Sequence, residues 1–376
     1  MTINNSPIAL LLPTLHSGGA EKQLYYLIKH WPKKEEIILY YFNDDNWTDL
    51  FISLGIRVIK IDWKKCNFSY AGYFINYYRK AIALKKKLIH HDINTIYTWL
   101  FDANLVGLLI SFNFPIKHIS SVRFGNNHYL KKPITIKNIV EYFLYYFILR
   151  KSVQIITNSH SGKNMLVNSW NVPSEKINVI YNGVDIPKKK NIRSERVPIK
   201  MSSNIRIGFV GRLDKIKNPY LAIDAISLLD CKNKINLEFY GREDNITQNE
   251  LKHYGRNKFV KIKCFGHVDN IWEQIKQINI IISTSNTEGT SNVIIEALLH
   301  GIPVVATDVG DNKLLLSDKR GIIVPPNDQK LFCEALKYYI YNHDVMIEPR
   351  MNYIKNKFSL LNMVDKTRTT LIKYSQ

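Results

Sequence analysis

Two carboxylates, Glu288 and Glu296, stand eight positions apart in Glu288-Gly-Thr-Ser-Asn-Val-Ile-Ile-Glu296, with Gly289, Thr290, Ser291 and Asn292 between them. The small polar residues read as a loop and the run Val293–His300 as a helix. That helix is expected to stop at Gly301, with a strand beginning at Ile302. A helix that opens from such a loop turns free N–H groups and its positive dipole end toward an anion. Carboxylates on either side accept hydrogen bonds from hydroxyls. An anion flanked by hydroxyls describes a sugar nucleotide, with diphosphate in the middle, ribose at one end and hexose at the other.

Upstream lies Gly208-Phe-Val-Gly-Arg-Leu-Asp-Lys-Ile-Lys-Asn218, a strand that ends at Val210 and leads into a loop. Gly211 lets the backbone turn closely. Arg212 and Lys217 project from the loop, one a planar fork and the other a compact charge. Two fixed cations at a strand end suit a diphosphate; Lys215 reads as ordinary surface charge.

The elements that must hold these residues follow from apolar periodicity. Continuous apolar runs predict buried strands at Ile8–Leu12, Ile37–Phe42, Val58–Ile61, Thr95–Thr98, Lys117–Val122 and Val153–Thr157. An amphipathic helix is expected over Glu21–His30, after a loop that contains Gly18 and Gly19. The alternation restarts with strands at Arg206–Val210, Asn236–Tyr240, Val260–Phe265, Ile280–Ser283, Pro303–Thr307 and Gly321–Val324. Strand and helix in alternation predict parallel α/β sheets. We therefore expect two domains: 1–186, then a charged linker at 187–204, then 205–357. Ligands of such sheets bind beyond the carboxyl ends of the strands, so two facing domains would hold one in a cleft.

The 376 residues suffice for two cores, and four scattered cysteines without a Cys-x-x-Cys pair support neither a zinc ribbon nor a redox dithiol. No signal peptide and no apolar run of spanning length is read; Ile139–Leu149 is strongly apolar but too short. A cytoplasmic protein, soluble or peripheral, is expected. The net charge is +20, most of it in residues 1–190. Between Trp63 and His91, Lys64, Lys65, Arg79, Lys80, Lys85, Lys86 and Lys87 mix with Phe68, Tyr70, Tyr73, Phe74, Tyr77 and Tyr78. This pattern suits an anionic leaflet or anionic acceptor. A solvated helix face and a nucleic-acid surface are the alternatives.

Gly-Arg-Leu with a lysine five residues after the arginine, followed by Glu-x7-Glu, resembles the family 4 retaining glycosyltransferases of bacterial surface-polysaccharide type. Further matches are Gly18-Gly-Ala-Glu-Lys22, Thr157-Asn-Ser159, Ile180-Tyr-Asn-Gly-Val-Asp185 and Thr307-Asp-Val-Gly-Asp-Asn312. The resemblance runs from about residue 8 to about residue 340 and implies the GT-B fold: α/β, two Rossmann-like doubly wound domains facing across a cleft. It implies that Arg212 and Lys217 stabilise the departing diphosphate and that Glu288 accepts hydroxyls of the transferred sugar. Gly289, Thr290, Ser291 and Asn292 would hold sugar and distal phosphate, and Glu296 the ribose. Gly18 and Gly19 would approach the phosphates, Gly211 would admit them, and Gly266-His-Val268 would lie beside the base. A final helix at about 358–376 would pack back on the N-terminal domain.

Cations and a helix N-terminus can take the leaving-group charge without a divalent metal. No Asp-x-Asp motif occurs and no metal ligands are assigned. No cofactor is expected; the donor, a nucleotide diphosphate sugar, is expected to be UDP-linked. Glu288 and Glu296 are not read as a hydrolytic pair, and attack on the face the phosphate leaves gives retention.

On the acceptor side, Trp99 stands where many relatives carry a histidine. It could stack on a sugar or pack in the core. Arg123, followed by Asn127 and His128, resembles an acceptor-side strand end; it could meet a phosphate or make a structural ion pair. His16, beside the glycine loop, is either a site residue or solvated.

The reading is a hexosyl- or N-acetylhexosaminyltransferase that acts on a lipid-linked saccharide, in O-antigen, capsule or similar assembly. It would be peripheral on the inner face of the cytoplasmic membrane, touch an anionic membrane surface and bind no nucleic acid. The alternatives are a nucleotide-sugar epimerase of the same fold and a non-catalytic nucleotide-sugar-binding subunit.

Overall fold

Strand β1 (Ile8–Thr14) shows why the first sheet is written in continuous apolar runs. Ile8, Leu10 and Leu12 enter one core, and Ala9 and Leu11 enter another on the opposite face. A strand buried on both faces has no polar alternation to show. The computed structural model describes residues 6–375 apart from 17, 66–69, 124–134, 187–198, 200–203, 232–233, 269–270, 275–276 and 343–346. The chain divides into two units, Met1–Gly183 with Leu360–Gln376, and Val184–Ser359.

In the first unit β1 is followed by α1 (Gly19–Lys29), β2 (Ile37–Asn43), α2 (Thr48–Ile52), β3 (Arg57–Lys60) and α3 (Tyr70–His90). Then come β4 (Thr95–Trp99), α4 (Leu100–Asn113), β5 (Lys117–Val122), α5 (Ile136–Lys151), β6 (Gln154–Thr157), α6 (His160–Trp170) and β7 (Ile177–Val179). The strand order is β3-β2-β1-β4-β5-β6-β7, and the neighbours are parallel. The Ala9–Leu11 face is covered by residues of α3 and α4.

In the second unit β8 (Asn204–Val210) leads to α7 (Pro219–Ser227), β9 (Lys234–Tyr240), α8 (Gln248–Asn257), β10 (Ile262–Cys264) and α9 (Ile271–Gln274). There follow β11 (Ile280–Ser283), α10 (Asn292–Leu299), β12 (Val304–Thr307), α11 (Asn312–Leu316), β13 (Ile322–Val324), α12 (Gln329–Tyr341) and α13 (Ile347–Lys357). Its parallel order is β10-β9-β8-β11-β12-β13. The last helix, α14 (Leu360–Ser375), belongs to the first unit, where Leu360, Met363, Val364 and Leu371 share the core of Leu10 and Leu24.

Both sheets are doubly wound. The chain runs from the first strand to one edge, then returns to build on the first strand's other side. The order therefore reverses between β1 and β4, and between β8 and β11. Crevices at the carboxyl ends of such strand pairs are where open α/β sheets bind ligands.

Two local expectations change. The short strand β7 was not anticipated; three residues carry too little periodicity to read. The strand expected from Ile302 begins at Val304. Gly301 takes φ +68°, and the Ile302 N–H is bonded back to Ala297 O at 2.9 Å, so Ile302 still caps the helix. Pro303 has no N–H to give the ladder. The charged stretch 187–204 lies almost wholly outside the described residues.

Candidate active site

The loops after β8 and β11 are stitched to each other at the switch point of the second sheet. Thr284 Oγ1 donates to the carbonyls of Lys217 (3.0 Å) and Asn218 (2.8 Å), and Asn286 N donates to Ile216 O at 2.7 Å. Asn218 takes φ +48° as the N-cap of α7, and Pro219 opens that helix, where its missing N–H costs nothing. Arg212 and Lys217 are thus presented from a fixed turn.

Both cations meet carboxylates. Arg212 lies 3.0 Å from Asp214 and 3.1 Å from Asp244, and its guanidinium is partly exposed. Asp214 is buried, and its other oxygen accepts from Lys217 N at 2.7 Å, so one acid positions both cationic residues. Lys217 Nζ pairs with Glu288, which also accepts from Ser285 Oγ at 2.9 Å. An anion placed here would exchange these contacts for its own oxygens, as charge-assisted bonds allow.

The Glu288 loop is held by close backbone approach. Asp311 N donates to Gly289 O at 2.9 Å. Gly310 has φ +58°, and a Cβ there would fall 2.5 Å from Glu288 O and 2.4 Å from Gly289 O. Only glycine fits this position without moving the loop. Thr290 and Ser291 are buried; Ser291 is the N-cap of α10 and Asn292 its first residue. The helix therefore opens from the loop that carries Glu288, with its first N–H groups at the strand end.

Glu296 lies on α10, half-buried, where it accepts a hydrogen bond from the indole N–H of Trp272 in α9. The indole stacks on His300 at 5.4 Å and 17°, and His300 Nδ1 lies 2.8 Å from Glu296 O. At 1.5 Å per helical residue, Glu296 stands about 6 Å along the axis from the helix start. The two carboxylates accordingly sit on different elements, one with a lysine and one with an indole.

The third loop at this edge follows β10. Gly266 takes φ +70°, and its carbonyl accepts from Gly241 N at 2.7 Å. A Cβ at Gly241 would lie 1.8 Å from Gly211 O, so the chains at 211 and 241 touch directly. This brings Gly211 and Gly266 against one strand end, with His267 exposed and Val268 half-buried beyond. Phe265 stacks on Tyr240 at 4.7 Å and 4°.

In the first unit, Gly18 is the N-cap of α1 and Gly19 its first residue. His16 Nδ1 lies 3.2 Å from Glu21, a buried carboxylate in the first turn of α1. Trp99 ends β4 and is fully buried. It makes an edge contact with Tyr97, and the Arg123 guanidinium lies 3.6 Å over its ring. Of the two uses open to Trp99, packing is the one seen. Arg123 also donates to Asn182 Oδ1 (2.6 Å) and Ser121 Oγ (2.9 Å). Desolvation lowers its pKa, with the Tyr97 hydroxyl opposing; an arginine remains charged all the same. Asn127 and His128 lie outside the described residues.

Sequence reasoning missed Asp214, Asp244, Ser285, Trp272 and Asn182. Asp214, two residues after Arg212, carried a local signal. Asn182 lies in the matched segment Ile180–Asp185 but had no partner assigned; the other three act across 3 to 32 positions and carried no signal. Among the described residues no group of three or more His, Cys, Asp or Glu is placed to hold a metal ion.

Residues 17–188 match the family model described as Glycosyltransferase Family 4, and residues 204–342 match the one described as Glycosyl transferases group 1. The N-acetylgalactosamine-N,N'-diacetylbacillosaminyl-diphospho-undecaprenol 4-alpha-N-acetylgalactosaminyltransferase of Campylobacter jejuni is 25% identical over 97% of this chain and 98% of its own. The UDP-Gal:alpha-D-GlcNAc-diphosphoundecaprenol alpha-1,3-galactosyltransferase of Escherichia coli is 26% identical over 62% of this chain and 64% of its own. Among solved structures, the Anabaena protein HepE in complex with UDP superposes with a TM-score of 0.80 at 19% identity, over 98% of this chain and 100% of that one. The same protein with UDP-glucose gives 0.79, over 98% and 99% at the same identity.

Proposed function

We propose, from the premise that this chain belongs to the family 4 type of GT-B glycosyltransferases, that it moves a hexose or N-acetylhexosamine from a UDP-linked donor to a lipid-linked saccharide, with retention and without a metal. The transfer would serve surface-polysaccharide assembly at the inner face of the cytoplasmic membrane. The observation that carries the reading is the convergence at one switch point of Arg212 and Lys217 from the β8 loop with Glu288 and the start of α10 from the β11 loop. The UDP and UDP-glucose held by the Anabaena protein, and the undecaprenol diphosphate acceptors named for the Campylobacter and Escherichia relatives, support the two substrate classes.

In the reaction the bond from the sugar's anomeric carbon to the phosphate oxygen breaks as the acceptor oxygen bonds that carbon on the same face. The acceptor proton passes to a phosphate oxygen, and the nucleoside diphosphate departs with the charge. Arg212, Lys217 and the first N–H groups of α10 meet that charge; one such preorganised donor is worth about 3 kcal/mol of barrier. Glu288 accepts hydroxyls of the transferred sugar and Glu296 those of the ribose. Gly266, His267 and Val268 lie beside the base, and Arg123 and His16 serve the acceptor side.

The test is product analysis after incubation with UDP-sugars and a polyprenyl-diphosphate saccharide. The expected product carries the donor's own anomeric configuration by NMR coupling constants, and is formed with a chelator present. An inverted product overturns retention; an epimerised nucleotide sugar with no transfer overturns the transferase reading.

A further inference from the structure

The helices that cover the Ala9–Leu11 face of the first sheet are apolar on their outer side as well. α5 turns Tyr145, Ile148 and Leu149 into the cores. On its other side Ile139, Phe143 and Phe147 recur every four residues and expose 44%, 57% and 47% of their surface. That spacing aligns them along one face of the helix. α3 carries a second such row, Phe74, Tyr78 and Ile82, also exposed. α3 packs on α4 and α4 on α5, so both rows belong to one layer. Single exposed apolar residues are ordinary; two rows on one surface mark a contact.

The charge says what kind. Lys85, Lys86 and Lys87 lie in the last turns of α3, and Arg150 and Lys151 close α5. Helices that return between parallel strands run in the same direction, so these basic ends lie at one edge of the layer. The Arg150 guanidinium lies 5.0 Å over Tyr146 and the Lys151 ammonium 5.3 Å over Phe112, so both charges sit on the aromatic surface of this layer. No described helix is long and apolar enough to cross a membrane, and α5 has 16 residues. Apolar rows with basic ends on helices of this kind lie in an interface rather than through it.

We infer that the outer face of α3 and α5 docks on an anionic lipid bilayer, with the Ile139–Phe143–Phe147 row entering the acyl boundary and the lysines meeting the head groups. This deepens the proposed function, because a lipid-linked acceptor is met at a bilayer, and it names the face that meets it. Transfer to a water-soluble acceptor does not depend on this face, so the two readings fail separately.

The experiment is flotation with phosphatidylcholine vesicles, with and without phosphatidylglycerol, over a salt series. Wild type floats with the anionic vesicles and less so as salt rises. The double variant Phe143→Glu/Phe147→Glu loses about tenfold or more in partition at every salt concentration. Lys86→Glu/Lys87→Glu, at the exposed lysines, binds less and loses most of the salt dependence. Melting and transfer to a soluble acceptor stay at wild-type level in both; if the glutamates disturb folding, Phe147→Ser alone carries the same direction. A double variant that floats like wild type overturns the inference, as does equal binding to both vesicle types. A wild-type dimer that the double variant dissociates would assign the face to a second copy.

Discussion

The two units share a winding order but use their switch points differently. At the β8–β11 switch point the cations are held by carboxylates from the same and neighbouring loops: Arg212 by Asp214 and Asp244, Lys217 by Glu288. After β1 and β5 the basic side chains lie on buried partners: His16, itself partly exposed, on Glu21, and Arg123 on Trp99. The first arrangement can exchange partners for an incoming anion at little structural cost. In the second, Arg123 is held over the ring of the buried Trp99 and by Asn182 and Ser121. In the proposed function it is the first arrangement that meets the diphosphate.

That contrast breaks most visibly at Lys217. Lys217→Ala removes a leaving-group cation and leaves Glu288 without its ion pair. Turnover of donor should fall about a hundredfold, near 3 kcal/mol in kcat/KM. Steady-state kinetics at saturating acceptor measures it; a loss under about threefold would place the diphosphate elsewhere. At the other switch point the effect is smaller and of another kind. Asn182→Ala removes the 2.6 Å partner of Arg123, a bond worth about 1.5 kcal/mol at the low end for a charged donor. The acceptor KM should rise about tenfold while the donor KM stays put. A change in donor KM alone would erase the distinction between the two units.

The fold was legible because its central strands are buried on both faces. Ile8–Leu12 and Ile37–Phe42 announce themselves as apolar runs, and the alternation with helices leaves parallel doubly wound sheets as the architecture. The three-residue β7 and the late start of β12 were not, since one is too short for a period and the other depends on how Gly301 caps a helix. At the site, Arg212, Lys217 and Glu288 were legible because each stands in a loop that follows a strand, close to glycine or small polar residues, and Glu296 from its eight-position spacing to Glu288. Their partners were not. Asp244 reaches Arg212 from the β9 side, and Trp272 reaches Glu296 from another helix; such pairings exist only once the sheet is assembled. The outer row of α5 was legible only as hydrophobicity. Its exposure is a property of which face the core leaves over.

In the proposed function the diphosphate lies at the β8–β11 switch point. Calorimetric titration of UDP into wild type and Arg212→Ala tests this most directly. Wild type should bind, and Arg212→Ala should bind at least about tenfold more weakly, since a charge-assisted contact to phosphate is lost. UDP binding of equal affinity in both proteins would contradict it.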